Sequence, residues 1–356
     1  MVRNIYRRNT RAPDSKNKGH RQRGPKGPVY GAIDLGTNNC RLLLAEPSES
    51  GFRVVDGFSR IVRLGEELAK TGRLNDRAMA RTLDALRICA NKIKNLGARQ
   101  VRCIATEACR RASNGQEFLD HVEAETGLSF EIVTAEIEAE LTVSGCSPLL
   151  NTGHEKALLF DIGGGSTEII WIETPRGKAP ETRAVLSFPM GVVTLAETYG
   201  HGSIEPETYS KIRASIDELL LPFCKAHGIS TAIQENQVQM LGTSGTVTTL
   251  GAIYLGLGRY DRSRVDGLTI PLANIRAISA RLAGMDMDAR NQIPCVGADR
   301  ADLMLMGCAI LGAVCERWPL ETLRAADRGI REGLLMGMIN ANRTPSTGAN
   351  AQVNVG

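Results

Sequence analysis

The chain has 356 residues, 42% hydrophobic, 23% charged and only 4% aromatic. That length suits two domains with aliphatic cores, and the composition excludes collagen, coiled-coil and disulfide-scaffold classes, while no run of 18 apolar residues is present to span a membrane. The formal charge of +4 is unevenly divided: residues 1–28 hold nine basic residues and one acid, so the remaining 328 residues are net −4.

Residues 1–28 have too little apolar content to offset the entropy of ordering, and are expected to be disordered. A solvated extension is the favoured reading of this tail, with a weak, salt-sensitive contact to nucleic acid as the alternative. It lacks the apolar stretch of a secretory signal. The nine cysteines form no CxxC pair, and several sit in apolar runs. Buried free thiols in a reducing cytoplasm explain them best, and zinc-finger spacing is missing.

An internal near-repeat follows. VYGAIDLGTNNCRLLLAE (29–46) and KALLFDIGGGSTEIIWIE (156–173) each run from an apolar strand ending in Asp, through a glycine turn, into a second strand-like run. Asp34 and Asp161 lie 127 residues apart. The residues after each turn keep strand character, so the turns are read as hairpin tips and not as helix-opening P-loop or Rossmann turns.

Between the repeats, Asn75 is a plausible N-cap for a helix over 76–96, ended by Gly97. Residues 101–106 and 130–133 read as strands, 114–126 as a helix, and Thr134 as the cap of a helix from 135 to about 146. Beyond the second repeat, helices are predicted near 192–200 and over 205–225. Residues 239–253 read as a strand, a glycine turn and a helix, and further helices fill 273–283, 300–316 and 328–341. The whole is an α/β chain of two lobes.

DLGTNN and DIGGGST have the chemistry of paired phosphate grips. Glycines let amides approach an anion, hydroxyls add donors, and a strand-ending Asp can hold a divalent ion. The candidate phosphate contacts are Asp34, Gly36, Thr37 and Asn38 in the first loop, and Gly163, Gly164, Gly165, Ser166 and Thr167 in the second. A third turn adds Gly242, Ser244 and Gly245 at a helix N-terminus. Two such loops facing each other would clamp a polyphosphate between the lobes. In AEIEAEL (135–141), helical spacing puts Glu136 and Glu140 on one face and Glu138 on the other, with Thr134, Leu141 and Gly145. A carboxylate on that less polar face suits a general base, although from the residues alone a solvated face for all three acids is the favoured reading.

This arrangement resembles the superfamily of actin, sugar kinases and DnaK-type chaperones. More narrowly, the strings AIDLGTNNCRLLL, VRLGEELAKTGRL (62–74), ATEACRRA (105–112), LLFDIGGGSTEII, LGTSGTVTTL and RGIREGLL (328–335) are similar to the exopolyphosphatase / guanosine pentaphosphate phosphohydrolase (Ppx/GppA) family. The resemblance implies two ribonuclease-H-like, actin-like ATPase lobes with mixed sheets and an interdomain cleft. Domain I would comprise 29–136 plus the C-terminal helix 326–342, domain II 137–325, with a loose tail at 343–356. It implies a general base at Glu138, magnesium-proximal acids at Asp161 and Glu168, and a phosphate-contacting Arg110. Arg63 is a weaker candidate of the same kind, and Arg331 in the terminal helix is read as structural. The chain departs from the family pattern where Ile137 replaces an acid and Glu140 an arginine, so Glu136 stays open as an alternative base. Glu67 stands where relatives often have Gly.

The implied activity is magnesium-dependent release of terminal phosphate from polyphosphate or guanosine pentaphosphate in the cytoplasm. The alternatives are an ATP-dependent small-molecule kinase of the superfamily, and a non-enzymatic, nucleotide-binding actin-like protein. A homodimer is compatible with the chain, though no motif specifies one. Longer relatives append a helical domain for which residues 30–341 leave no room, which is expected to limit processivity on long chains.

Overall fold

A computed structural model describes residues 25–49, 51–151 and 153–343. The basic tail up to residue 24 and the C-terminal residues from 344 lie outside the described residues. Both repeats fold as antiparallel hairpins, β1 (Tyr30–Leu35) with β2 (Asn39–Ser48) and β6 (Lys156–Ile162) with β7 (Thr167–Glu173). β1 and β6 are apolar almost throughout because both faces of each sheet are covered, which removes the alternation of a half-exposed strand.

Each hairpin seeds a mixed sheet. The first has the order β3-β2-β1-β4-β5, where β3 is Gly51–Ile61, β4 Gln100–Ala105 and β5 Phe130–Ile132. β4 pairs parallel to β1, and β5 parallel to β4. The second has the order β10-β11-β9-β6-β7-β8, where β8 is Glu181–Phe188, β9 Val238–Thr243, β10 Thr269–Pro271 and β11 Thr322–Ala326. Its β8-β7-β6-β9-β11 portion repeats the pairing pattern of the first sheet: antiparallel, antiparallel, parallel, parallel. This is a duplicated two-lobed α/β architecture.

The capping residues act as their sequence suggests. Asn75 accepts from the Ala78 amide at 2.8 Å to open the helix Asp76–Asn95. Thr134 accepts from the Ile137 amide to open the acidic helix Ala135–Cys146. Four strands escape the sequence reading. β3 and β8 are half-exposed edge strands without clean alternation, and β10 and β11 are only three and five residues long. The helix predicted over 300–316 is broken: one turn at Ala298–Ala301 precedes the helix Met304–Arg317.

Each sheet has a large aliphatic core on one face and a smaller cluster on the other. The terminal helix Ile330–Arg343 lies on the first sheet through Ile330, Leu334, Leu335 and Met338. The acidic helix lies on the second sheet through Ala139, Val143 and Cys146. The two helices cross at glycine: a Cβ on Gly145 would sit 2.0 Å from the Gly329 carbonyl oxygen, and one on Gly333 2.1 Å from that of Leu141. All nine cysteines are buried free thiols. Among the described residues no helix is long and apolar enough to cross a membrane.

Candidate active site

The glycine loops meet between the lobes, because each is held from behind by its own scaffold. In the first loop, Val62 and Arg63 donate their amides to the Asn38 carbonyl and Gly65 donates to that of Thr37. In the second, Gly191, Val192 and Val193 at a helix start donate to the carbonyls of Gly165, Gly163 and Gly164. With the carbonyls taken, the amides of Thr37, Asn38, Gly164, Gly165 and Ser166 have no hydrogen-bond acceptor among the described residues. Such runs of unpartnered N–H groups form an anion nest. The loops touch: a Cβ on Gly164 would lie 3.0 Å from the Asn38 nitrogen, and one on Gly165 2.7 Å from Thr37 Oγ1. Only glycine lets the lobes approach this closely.

The cleft encloses a cavity of about 380 Å³, lined by Asp34, Gly36, Thr37, Asn38, Glu138, Asp161, Gly163 to Ser166, Ser244 and Gly245. Ser244 accepts from the Val247 amide at 3.0 Å and opens the helix Gly245–Tyr254. Glu138 is only 9% exposed, whereas Glu136 and Glu140 are exposed. Glu138 thus reaches the cavity, and Glu136 stands outside it.

The hairpin registers set the charges. Cross-strand pairing puts Asp34 opposite Arg41 in the first lobe and Asp161 opposite Glu168 in the second. The two positions are equivalent by the 127-residue repeat, yet one pair is opposite in sign and the other alike. Burial raises the Asp34 carboxyl above its ordinary value, while Arg41 and Arg331 pull it back. Burial and then Glu168 push Asp161 up to about 8. Glu138 is raised well above the ordinary range by burial, then by Glu168, Asp161 and Asp34, with Arg110 opposing. Burial also raises Glu168, against hydrogen bonds from Ser166 and Ser187.

Arg110 and Glu168 stand behind the wall. Arg110 Nη1 donates to the Val133 carbonyl at 2.6 Å and lies 3.5 Å from Glu138 Oε2. Ser187 Oγ donates to Glu168 Oε1 at 2.8 Å. Two predicted phosphate contacts have other tasks. The Thr167 hydroxyl is fully buried and donates to the Met190 carbonyl at 2.8 Å. Gly242 packs on Phe160, whose ring carbon would be 2.4 Å from an added Cβ. Arg63 turns away from the cavity to pair with Asp302 at 3.0 Å. Arg331 is more than a packing residue, since it lines the cavity and its charge acts on Asp34.

Sequence reasoning missed the far wall. There Tyr260 donates to Asp327 Oδ2 at 2.6 Å, Arg262 Nη2 to Glu332 Oε1 at 2.7 Å, and the Gly329 amide to Glu332 Oε2 at 2.8 Å. These residues come from separate segments that no single motif spans. It also missed Glu107, buried in the cavity wall and paired to Arg111 at 3.0 Å. Arg41 was within reach, since a tight four-residue hairpin tip at 36–39 sets it opposite Asp34.

Two mixed sheets with matched glycine hairpins across a cleft define the actin-like, two-lobed class. A solved structure of an exopolyphosphatase-like protein superposes with a TM-score of 0.78 at 26% identity, covering 87% of this chain and 97% of that one. That of the Aquifex aeolicus Ppx/GppA family member gives 0.72 at 26% identity, covering 89% and 99%. The chain belongs to the Ppx/GppA phosphatase family, which it matches over residues 44–342. It is similar to proteins named guanosine-5'-triphosphate,3'-diphosphate pyrophosphatase from Aeromonas hydrophila subsp. hydrophila, at 30% identity over 319 residues, and Aeromonas salmonicida, at 29% over 320. These alignments take in 88% of the chain and span 60% of the length of either relative.

Proposed function

We propose that this chain hydrolyses the terminal phosphoanhydride bond of guanosine pentaphosphate or inorganic polyphosphate, with magnesium, in the cytoplasm. The observation that carries this reading is a buried, base-competent carboxylate, Glu138, in one cavity with two loops of unpartnered amides. The amides of Thr37, Asn38, Gly164, Gly165 and Ser166 hold the equatorial oxygens of the terminal phosphoryl group, where negative charge builds in the transition state. Glu138 accepts the proton of the attacking water, and Arg110 beside it holds the carboxylate in place. The names of the Aeromonas relatives favour guanosine pentaphosphate as the first substrate to test.

The donor set fits magnesium. Among the described residues no three His, Cys, Asp or Glu side chains form a ready-made cage. Magnesium, however, commonly takes one or two carboxylates and completes its shell with water and substrate phosphate oxygens. Asp161 lines the cavity and would hold the ion, while Glu168 stands behind it and would act through water, and the repulsion within this like-charged pair is what a cation relieves. When bound there, the ion would neutralise charge on the phosphates. Asp34 needs no such ion, since Arg41 and Arg331 already face it.

The test is to offer guanosine pentaphosphate and polyphosphates of several lengths, with and without magnesium, and to measure released phosphate. Wild type is expected to turn over at least one substrate with magnesium, and Glu138→Gln to lose at least about 100-fold in kcat. Unchanged turnover by Glu138→Gln would remove Glu138 as the base. Transfer of phosphate to an added small acceptor, with none to water, would replace hydrolysis by a kinase activity.

A further inference from the structure

A second cavity, of about 730 Å³, opens beside the first. Asn39, Ser59 and Arg300 line both, so the two adjoin. Its other charged residues are Arg60, Arg63, Arg81 and Glu66, so four arginines face one acid. Residues 29–356 are together net negative, so this concentration of arginine is local.

The arginines differ in what holds them. Arg63 pairs with Asp302 at 3.0 Å. Arg81 pairs with Glu66 and donates through Nε to the Val62 carbonyl at 3.1 Å. Arg60 is exposed, lies 5.3 Å over the Phe58 ring, and has no carboxylate partner among the described residues. Its place is fixed by the sheet: on β3, Ser59 stands opposite Arg41 of the reaction cavity and Arg60 stands opposite Cys40. One strand thus carries the wall of the reaction cavity into the groove within a single residue. A cation–π contact with the ring uses none of the Arg60 N–H donors, which stay available to an anion.

We propose that this arginine groove is a second phosphate subsite, which binds phosphoryl groups of the substrate remote from the bond being broken. The inference rests on the hydrolytic reading above. The chemistry it recognises is a further phosphoryl group on the molecule whose terminal phosphate sits in the glycine loops. A long polyphosphate supplies it from the inner chain, and guanosine pentaphosphate from its second phosphorylated position. Tripolyphosphate and GTP fill the reaction cavity and leave the groove empty.

The test uses Arg60→Glu in the full chain, with Arg176→Glu, an exposed arginine on the β7–β8 connection, as the charge-matched control. kcat/KM is measured for tripolyphosphate, long polyphosphate, GTP and guanosine pentaphosphate. Arg60→Glu is expected to lower the ratio of long polyphosphate to tripolyphosphate, or of guanosine pentaphosphate to GTP, by about tenfold, chiefly through KM, as loss of one charged phosphate contact implies. Which ratio falls identifies the source of the remote phosphate. Arg60→Lys should restore most of it, and Arg176→Glu should leave both ratios as in wild type. If neither ratio moves, or if all four substrates weaken equally, the subsite is overturned. A wild-type protein that releases phosphate from none of the four defeats the hydrolytic reading instead. Direct binding of labelled long polyphosphate to wild type and Arg60→Glu then decides the groove by itself: equal affinity overturns it.

Discussion

Glu138 and Asp161 are carboxyl groups that the folded chain holds against their ordinary ionisation, and that sets a sign for pH. A general base works only when ionised, so activity should be present above the raised value of Glu138 and fall as pH drops through it. The acid limb of the wild-type pH–rate profile is therefore expected above the ordinary carboxylate range, and Glu138→Asp should move or broaden it. An acid limb near pH 4 would remove the argument. Stability runs the opposite way. Asp161 rises from 3.8 to about 8 on folding, so its contribution is full below about pH 4 and is lost as pH rises through about 8. Magnesium is expected to raise the Tm more at pH 8.5 than at pH 5.5, since only the ionised pair repels itself. Equal shifts at both pH values would place the cation elsewhere. At this scale the sequence was legible where chemistry follows local spacing. Helical angles separate Glu138 from Glu136, and the structure buries the first and exposes the second. Thr167 and Gly242 sit in the right motifs, but their role depends on Met190 and Phe160, which only tertiary packing supplies.

Among the elements, the crossing of the acidic and terminal helices carries the most specific demand on side-chain size. Gly333 faces the Leu141 carbonyl at a distance that no Cβ tolerates, whereas Gly337, one turn further on the same helix, has nothing within 4 Å. Gly333→Ala must push backbone against backbone, and should cost about 1–3 kcal/mol. Gly337→Ala removes only unfolded-state freedom from an exposed helix position, and should gain about 0.5–1 kcal/mol. Urea unfolding of the two variants checks the pair, and a loss in both would mean that the helix is read in the wrong register. Caps and glycine stops made the helices between the repeats readable, because those signals are local. The edge strands β3 and β8 were not, since neither alternates and each is half exposed. Their strand character comes from the neighbours β2 and β7, which offer a free edge to pair with.

Across the whole molecule, the strap after β3 fastens one lobe to the other. Arg63 and Glu67 take left-handed backbone, at φ 47° and 64°, which costs about 1–2 kcal/mol per non-glycine residue. That geometry is held by the bonds of Val62, Arg63 and Gly65 to the first glycine loop. It aims the strap at the second lobe, where Asp302 Oδ2 receives Arg63 at 3.0 Å and His201 at 3.3 Å, and Glu197 accepts from the Glu67 amide at 2.6 Å. The carboxylate of Asp302 is largely buried, so this contact is screened less than an exposed pair. Asp302→Ala removes the Arg63 ion pair and the His201 contact from the clasp while leaving the glycine loops and Glu138 intact. The lobes should then separate more readily, with the main effect on assembling the cleft. On the proposed hydrolysis, KM for tripolyphosphate is expected to rise about three- to tenfold, with kcat falling less, because a bound phosphate chain would draw the two loops together again. Small-angle scattering should show a larger radius of gyration for Asp302→Ala without substrate, and the difference from wild type should shrink when substrate and magnesium are added to the Glu138→Gln background. If scattering and KM both match wild type, the clasp does not hold the cleft closed, and the contacts of the glycine loops and of the two crossing helices suffice to join the lobes.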